Sequence, residues 1–258
     1  MKKYILTLIL ALASLGLYAQ TNRNKTIINA ALHGWEYEIK AGGNLGGTAP
    51  LPFPEEIRSI DGYNPTLSIT IEGNMTKGLD TKKIWGIITG LRLENKGMRT
   101  KATVKNYNME IIGYDGNRLK GNWTGGVRTK VQNSYITIPV LAAYKLSPRT
   151  TLKLGPYFSY LMDGDFSGHV YEGYLRETNP TGDKINFTNG AIATYDFSGD
   201  LRKFQWGVQA GVDWKAFKHL KVHADLNWGL KDIFNKDFKP VTFDMYAIYL
   251  NVGFGYAF

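Results

Sequence analysis

The feature that most narrows what this chain can fold into is its final stretch, Tyr246 to Phe258, which reads Y-A-I-Y-L-N-V-G-F-G-Y-A-F. Successive side chains of a strand point to opposite faces. Phe258, Tyr256, Phe254, Val252, Leu250, Ile248 and Tyr246 therefore share one face, and Ala257, Gly255, Gly253, Asn251, Tyr249 and Ala247 share the other. Such an apolar row on an edge strand in water would template aggregation. In a bilayer it is what a lipid-facing barrel strand requires, with aromatics at both interfaces. The pattern points to a transmembrane β-barrel, and the rest of the chain has to supply the other strands.

Composition agrees. No apolar run in the 258 residues outside the N-terminus approaches the ~18 needed for a membrane helix, and mean hydropathy is −0.25, which excludes a helical membrane protein. The 29 glycines and 16 tyrosines favour close-packed strands with interfacial aromatics. Without cysteine there is no disulfide framework, thiolate metal site, Cys nucleophile or acylated lipoprotein Cys. The net charge of +9 is scattered rather than gathered on a basic helix, so it suits anionic lipid head groups and not nucleic acid. Lys2 and Lys3, the apolar run Tyr4 to Leu17, and Leu17-Tyr18-Ala19 predict a signal peptide over 1–19. A periplasmic lead over 20–34 follows.

Alternation then predicts strands at Trp35 to Leu45, Thr66 to Asn74, Ile84 to Lys96, Tyr135 to Leu146, Thr151 to Met162, Lys203 to Lys215 and Leu220 to Leu230. With the terminal strand they make an all-β, up-and-down antiparallel transmembrane barrel of about eight strands over 35–258. Thr48 to Pro65 holds Pro50, Pro52, Pro54 and Pro65 and reads as irregular. Connections alternate long and short, and the longest, 97–131 and 163–202, are expected to be extracellular loops. In the second of these, alternating patches at Val170 to Tyr174 and Ala191 to Phe197 predict a hairpin standing beyond the membrane. An even strand count puts both termini on the periplasmic side. A soluble lipocalin-like barrel has the same periodicity. The polar face decides against it, because its Gly, Lys, Glu, Asp, Asn and Gln suit a lumen too narrow for eight rows of large side chains.

Four stretches carry a family resemblance: Tyr135-Ile136-Thr137-Ile138-Pro139-Val140-Leu141, Leu154-Gly155-Pro156-Tyr157, Gly229-Leu230-Lys231-Asp232-Ile233 and Gly253-Phe254-Gly255-Tyr256-Ala257-Phe258. In order and spacing they resemble the PorT-type outer-membrane β-barrel family of Bacteroidota, over roughly Trp35 to Phe258. The resemblance implies an eight-strand outer-membrane barrel without assigned activity, and a tie to protein secretion through the family's namesake. The extended connections also resemble those of OmpX-type surface barrels. Terminal Phe258 resembles the sorting signal of such barrels, which implies the barrel-assembly machinery and outer-membrane lipid as partners.

The face opposite the apolar one collects Glu36, Glu38, Lys40, Glu72, Arg92, Glu94, Lys145, Lys153, Asp213, Lys221, His223 and Asp225. Mixed charges in a narrow lumen can neutralise one another, as a structural plug, or line a narrow transport pore. Asp163-Gly164-Asp165-Phe166-Ser167-Gly168 is half a calcium-loop motif, with Tyr174 where the closing Glu belongs. His223 and Asp225 invite comparison with outer-membrane hydrolases acting on lipid or peptide. They lie low on their strand, however, while Asp163 and Asp165 lie at the opposite rim. No cofactor, metal or catalytic centre is expected. Aromatics in the polar connections, Tyr107, Tyr114, Trp123, Tyr171, Tyr174 and Tyr195, are candidates for contact with a secretion-system or surface protein, or for self-packing of protruding hairpins.

Overall fold

The computed structural model describes residues 34–113, 118–238, 240 and 243–258. The expected signal peptide, nearly all of the lead, and Tyr114 lie outside the described residues. The described residues form ten strands: β1 Trp35–Pro50, β2 Ile57–Pro65, β3 Ile69–Gly78, β4 Trp85–Ile112, β5 Arg118–Lys145, β6 Thr150–Glu177, β7 Lys184–Asp196, β8 Phe204–Lys215, β9 Leu220–Gly229 and β10 Met245–Ala257. Eight form an up-and-down antiparallel ring in the order β1-β3-β4-β5-β6-β8-β9-β10. The ring closes where β10 returns to β1, in a register running from Glu38 opposite Ala257 to Pro50 opposite Met245. No helix among the described residues is long and apolar enough to cross a membrane.

Within the ring the predicted faces are the observed ones. Ile71, Ile87, Leu91, Ile138, Leu154, Val252 and Phe254 stand outward and exposed, while Thr70, Glu72, Arg92, Thr137, Asn251 and Tyr249 are buried inside. Rings mark both margins of the outer belt. Trp85 meets Tyr144 at 4.7 Å and Tyr256 meets Phe258 at 5.2 Å at the end with short turns, and Phe158 stacks on Phe204 at 6.4 Å toward the other. Phe258 follows the last residue of β10, with its N–H donating to Tyr37 O at 3.0 Å.

Two stretches depart from expectation. β4, β5 and β6 are 28 residues long, about 90 Å at ~3.3 Å per residue, where ~9–11 residues suffice to span a bilayer. Residues 97–112 and 118–131 of the polar stretch thus continue β4 and β5, whereas in 163–202 the expected hairpin is present, the upper part of β6 pairing antiparallel with β7 as in Val170 opposite Ala193. Beyond the belt these strands form a sheet in the order β2-β4-β5-β6-β7, and Ile112 of β4 bridges Thr194 of β7. The Pro-rich stretch is also more regular than its composition implies. Pro50 and Pro65 end β1 and β2, and β2 is an edge strand that needs donors on one side only.

Glycine sets the closing seam. Gly253 faces Gly42 across β1 and His223 across β9, and a Cβ there would collide with Ala41 O and the Gly42 Cα. Val252, one residue away, points out of the barrel. Gly253→Leu is expected to lower unfolding stability in micelles by about 1–3 kcal/mol, and Val252→Leu by less than about 1 kcal/mol, in urea titrations followed by tryptophan fluorescence. Equal tolerance would mean the faces are reversed.

Candidate functional site

The lumen is built from alternate residues of every ring strand, and Arg92 is its centre. Its strand neighbour across the β3–β4 ladder is Glu72, and Arg92 Nε donates to that carboxylate. The rest of the guanidinium crosses the lumen: Nη2 donates to Gln209 Oε1 on β8 at 2.8 Å and Nη1 to Asn227 Oδ1 on β9 at 3.1 Å. A planar fork with five donors is the side chain that can tie three walls together at once. Glu72 also accepts from Asn74 Nδ2 at 2.5 Å.

A second cluster lies nearer the short turns. Lys153 Nζ is 2.5 Å from Asp213 and 2.7 Å from Asp225, and Lys40 Nζ is 3.1 Å from Asp213. Below it Lys221 reaches Glu38 at 2.9 Å. His223 Nε2 donates to Asn251 Oδ1 at 2.8 Å, and Asn251 Nδ2 donates to Asn44 Oδ1 at 2.8 Å and Thr70 Oγ1 at 2.9 Å. On the other side of Arg92, Glu94 pairs with Lys96 at 3.0 Å and accepts from Thr137 at 2.8 Å. Lys96 Nζ lies over the rings of Tyr135 and Tyr157 at 5.3 Å each, and of Tyr249 at 5.8 Å. Sequence reasoning missed Lys96, although it continues the parity of Arg92 and Glu94.

Among the described residues the lumen therefore holds five carboxylates, Glu38, Glu72, Glu94, Asp213 and Asp225, against five cations, Lys40, Arg92, Lys96, Lys153 and Lys221. All are buried except the half-buried Lys221. An uncompensated ion in such a place costs several kcal/mol, so equal numbers and direct pairing are what permit them there. Two residues expected in the lumen are elsewhere. Glu36 stands exposed at the mouth and pairs with Lys83 at 2.9 Å, and Lys145 is exposed at the same end.

Above the charges the interior turns apolar. Phe234 lies 4.2 Å from Phe238 and 4.9 Å from Phe166, and Tyr195 stacks on Phe197 at 5.2 Å. The connection between β9 and β10 carries Phe234 and Phe238 inward. It is held by Arg202 N to Ile233 O at 2.7 Å, Ile233 N to Met245 O at 3.0 Å and Met245 N to Asp232 Oδ1 at 2.9 Å. The large apolar residues Phe234, Phe238 and Phe243 in an otherwise polar connection are the sequence signal for this cap.

The candidate contact aromatics divide. Trp123 is fully buried with Phe187 at 5.3 Å, and Tyr195 is buried with its hydroxyl 2.7 Å from Thr129 Oγ1 and donating to Arg128 O at 3.0 Å. Burial lifts the Tyr195 phenol well above its ordinary range, with the Thr129 contact opposing, so it stays a protonated donor. Tyr107 packs against the same core beside Phe243 at 5.7 Å. These three are core residues rather than contact residues, because they lie on the inner, apolar face of the tall sheet. Tyr171 and Tyr174 remain half-exposed, under Arg128 at 5.1 Å and Lys184 at 4.2 Å. Asp165 is taken by Lys130 at 2.5 Å and Ser167 at 2.6 Å. Among the described residues no three His, Asp or Glu side chains are placed to hold a metal ion. Replacing Arg92 by Met is expected to destabilise the barrel by about 3–5 kcal/mol, because Glu72 is left buried and unmatched. The pair Arg92→Met with Glu72→Gln should recover much of the loss in a double-mutant cycle of urea unfolding.

No curated protein matches the chain in sequence. Solved outer-membrane barrels align with it at low similarity. The attachment invasion locus protein Ail of Yersinia pestis is 12% identical, over 87% of this chain and 97% of that one, with a TM-score of 0.36. OprG of Pseudomonas aeruginosa is 11% identical over 86% and 95%, with a TM-score of 0.30, and Neisserial surface protein A is 9% identical over 87% and 97%, with a TM-score of 0.28. A family model described as an outer membrane protein beta-barrel domain matches residues 18–235, and the chain belongs to that family of outer-membrane barrels.

Proposed function

We propose that this chain is a non-conducting, non-catalytic outer-membrane barrel that raises its tall β2-β4-β5-β6-β7 sheet on the cell exterior as a contact surface for another protein. The observation that carries the reading is the filling of the lumen at two levels, with five carboxylates matched by five cations beneath an aromatic cap. An eight-strand ring is just wide enough for side chains to fill it. Here they do, so the chain's elaboration lies outside the membrane rather than through it.

In this reading the signal peptide exports the chain, the short turns and both termini face the periplasm, and the tall strands face outward. The resemblance to the PorT-type family makes a protein of the secretion machinery the first partner to test. Tyr171 and Tyr174 are the aromatics of the tall sheet that such a partner can reach. In planar bilayers the purified chain is expected to give no reproducible open-channel steps; steady steps would replace the plug by a narrow pore. A photo-crosslinking residue at Tyr174 in intact cells is expected to capture a protein partner, and one at buried Trp123 is expected to capture none. Equal capture at both, or none at Tyr174, would count against the contact surface.

A further inference from the structure

The barrel wall has a seam that is not sewn over its full height. Low on the seam, Asn44 N donates to Ser68 O at 2.9 Å and joins β1 to the start of β3. Higher up, β1 continues to Pro50 paired with β10, and β2 runs from Ile57 to Pro65 paired with β4. In the sheet order β2 neighbours β4 alone, so no ladder connects it to β1. The hydrogen bond from Tyr63 OH to Gly46 O, at 2.7 Å, bridges the two edges.

Behind this gap lies a cavity of about 510 Å³, within the ~300–1,000 Å³ range of sites that enclose small ligands. Met98, Ala102, Val104 and Phe166 form its back wall, and Gly46 to Pro50 with Ile248 form the side nearest β10. Among the described residues no Asp, Glu, Lys, Arg or His lines it. Room at the entrance depends on glycine, since a Cβ on Gly47 would press on Met98 Sδ. Phe53, Ile60 and Tyr63 stand at the mouth 57%, 51% and 50% exposed, and Leu67 just below is 91% exposed. These side chains continue the outward apolar row of Leu45, Ile69 and Leu250. The mouth is therefore an extension of the lipid-facing belt.

Height is set by the backbone. Unpaired strand edges are not tolerated in lipid hydrocarbon, where each unmet N–H or C=O costs several kcal/mol. The parted edges of β1 and β2 therefore belong at the head-group level, with the apolar cavity opening beside the chains. Hydrocarbon fits the cavity and a polar head fits the rim.

We propose that the gap between β1 and β2 admits one acyl chain of an outer-membrane lipid into the apolar cavity under the tall sheet. This does not depend on the protein contact assigned above. The commitment to a membrane lipid, rather than a soluble fatty acid or a partner's apolar side chain, rests on the continuity of the mouth with the belt.

The test uses the full chain folded into phosphatidylcholine vesicles that contain a minor share of the same lipid with a diazirine at the end of one acyl chain. After irradiation, peptide mapping is expected to find label on Met98, Val104 or Phe166 as well as on belt residues such as Phe254. Ala102→Trp, which fills the cavity, should abolish the cavity label and leave the Phe254 label in place. Should that variant fail to fold, the wild-type map still decides, because label confined to the belt overturns the proposal. A diazirine-bearing free fatty acid added from solution separates the sources: cavity label from it, with none from the phospholipid, would overturn the assignment to a membrane lipid.

Discussion

Closure of the sheet on itself, β10 against β1, is the constraint from which the other features follow. A strand edge left open in lipid is costly, so the ring must close, and closing it encloses one face of every strand. At eight strands the enclosed space is narrow. Polar side chains sent into it cannot reach bulk water and must satisfy one another, which is why Arg92 meets Glu72, Gln209 and Asn227 together and why Lys153 lies between two aspartates. The small residues of β10, Gly253 and Gly255, make space for this. A Cβ on Gly255 would strike the Glu38 carboxylate and crowd Lys40.

The same strands change polarity along their length. On β4 the inward series begins Arg92, Glu94, Lys96 and continues Met98, Ala102, Val104, while the outward series begins Leu91, Leu93 and continues Asn95, Arg99, Lys101. Below the crossover the protein is a membrane protein, with polar groups within and apolar groups without. Above it the arrangement is that of a soluble sheet, with apolar groups within and charges without. Lys96, paired with Glu94 under three tyrosine rings, stands at the crossover, where its ammonium meets the last carboxylate of the lumen and its surroundings turn aromatic. The β4–β5 and β5–β6 pairings, with local register shifts, thus run from the lumen into the tall sheet.

This inversion explains which parts of the fold were legible. The ring strands could be read from period-2 alternation with the apolar face outward, and their faces came out as predicted at Thr70, Glu72, Arg92 and Val252. The predicted third strand ended at Lys96, where the alternation persists but its sign reverses, so the continuation looked like a polar loop. The predicted fifth strand ended at Met162 for a related reason. A register shift between Ser134 and Tyr135 of β5 offsets their partners on β6, Asp163 and Leu161, and moves the inward parity from Tyr157, Ser159 and Leu161 to Phe166 and Val170. A bulge of this kind breaks any fixed period without ending the strand.

The candidate site was legible in its members more than in its pairings. Parity places a residue on a face, but its height in the lumen depends on the stagger between neighbouring strands, which no single segment encodes. Glu36 and Glu38 share a face and are one step of the pleat apart. Glu38 is buried and meets Lys221, whereas Glu36 is exposed and meets Lys83. Trp123 and Tyr195 show the converse. Both sit in sequence that looks like exposed loop, and both are buried in the apolar cluster on the inner face of the tall sheet, Trp123 against Phe187 of β7 and Tyr195 against Phe197, which Phe238 of the β9–β10 connection meets at 5.0 Å. What a sequence pattern cannot convey is which face acquires a cover. Here the inner face of the tall sheet acquires one, so Tyr107, Trp123 and Tyr195 pack into the apolar cluster, while Tyr171 and Tyr174 stay half-exposed and Arg99 and Lys101 exposed.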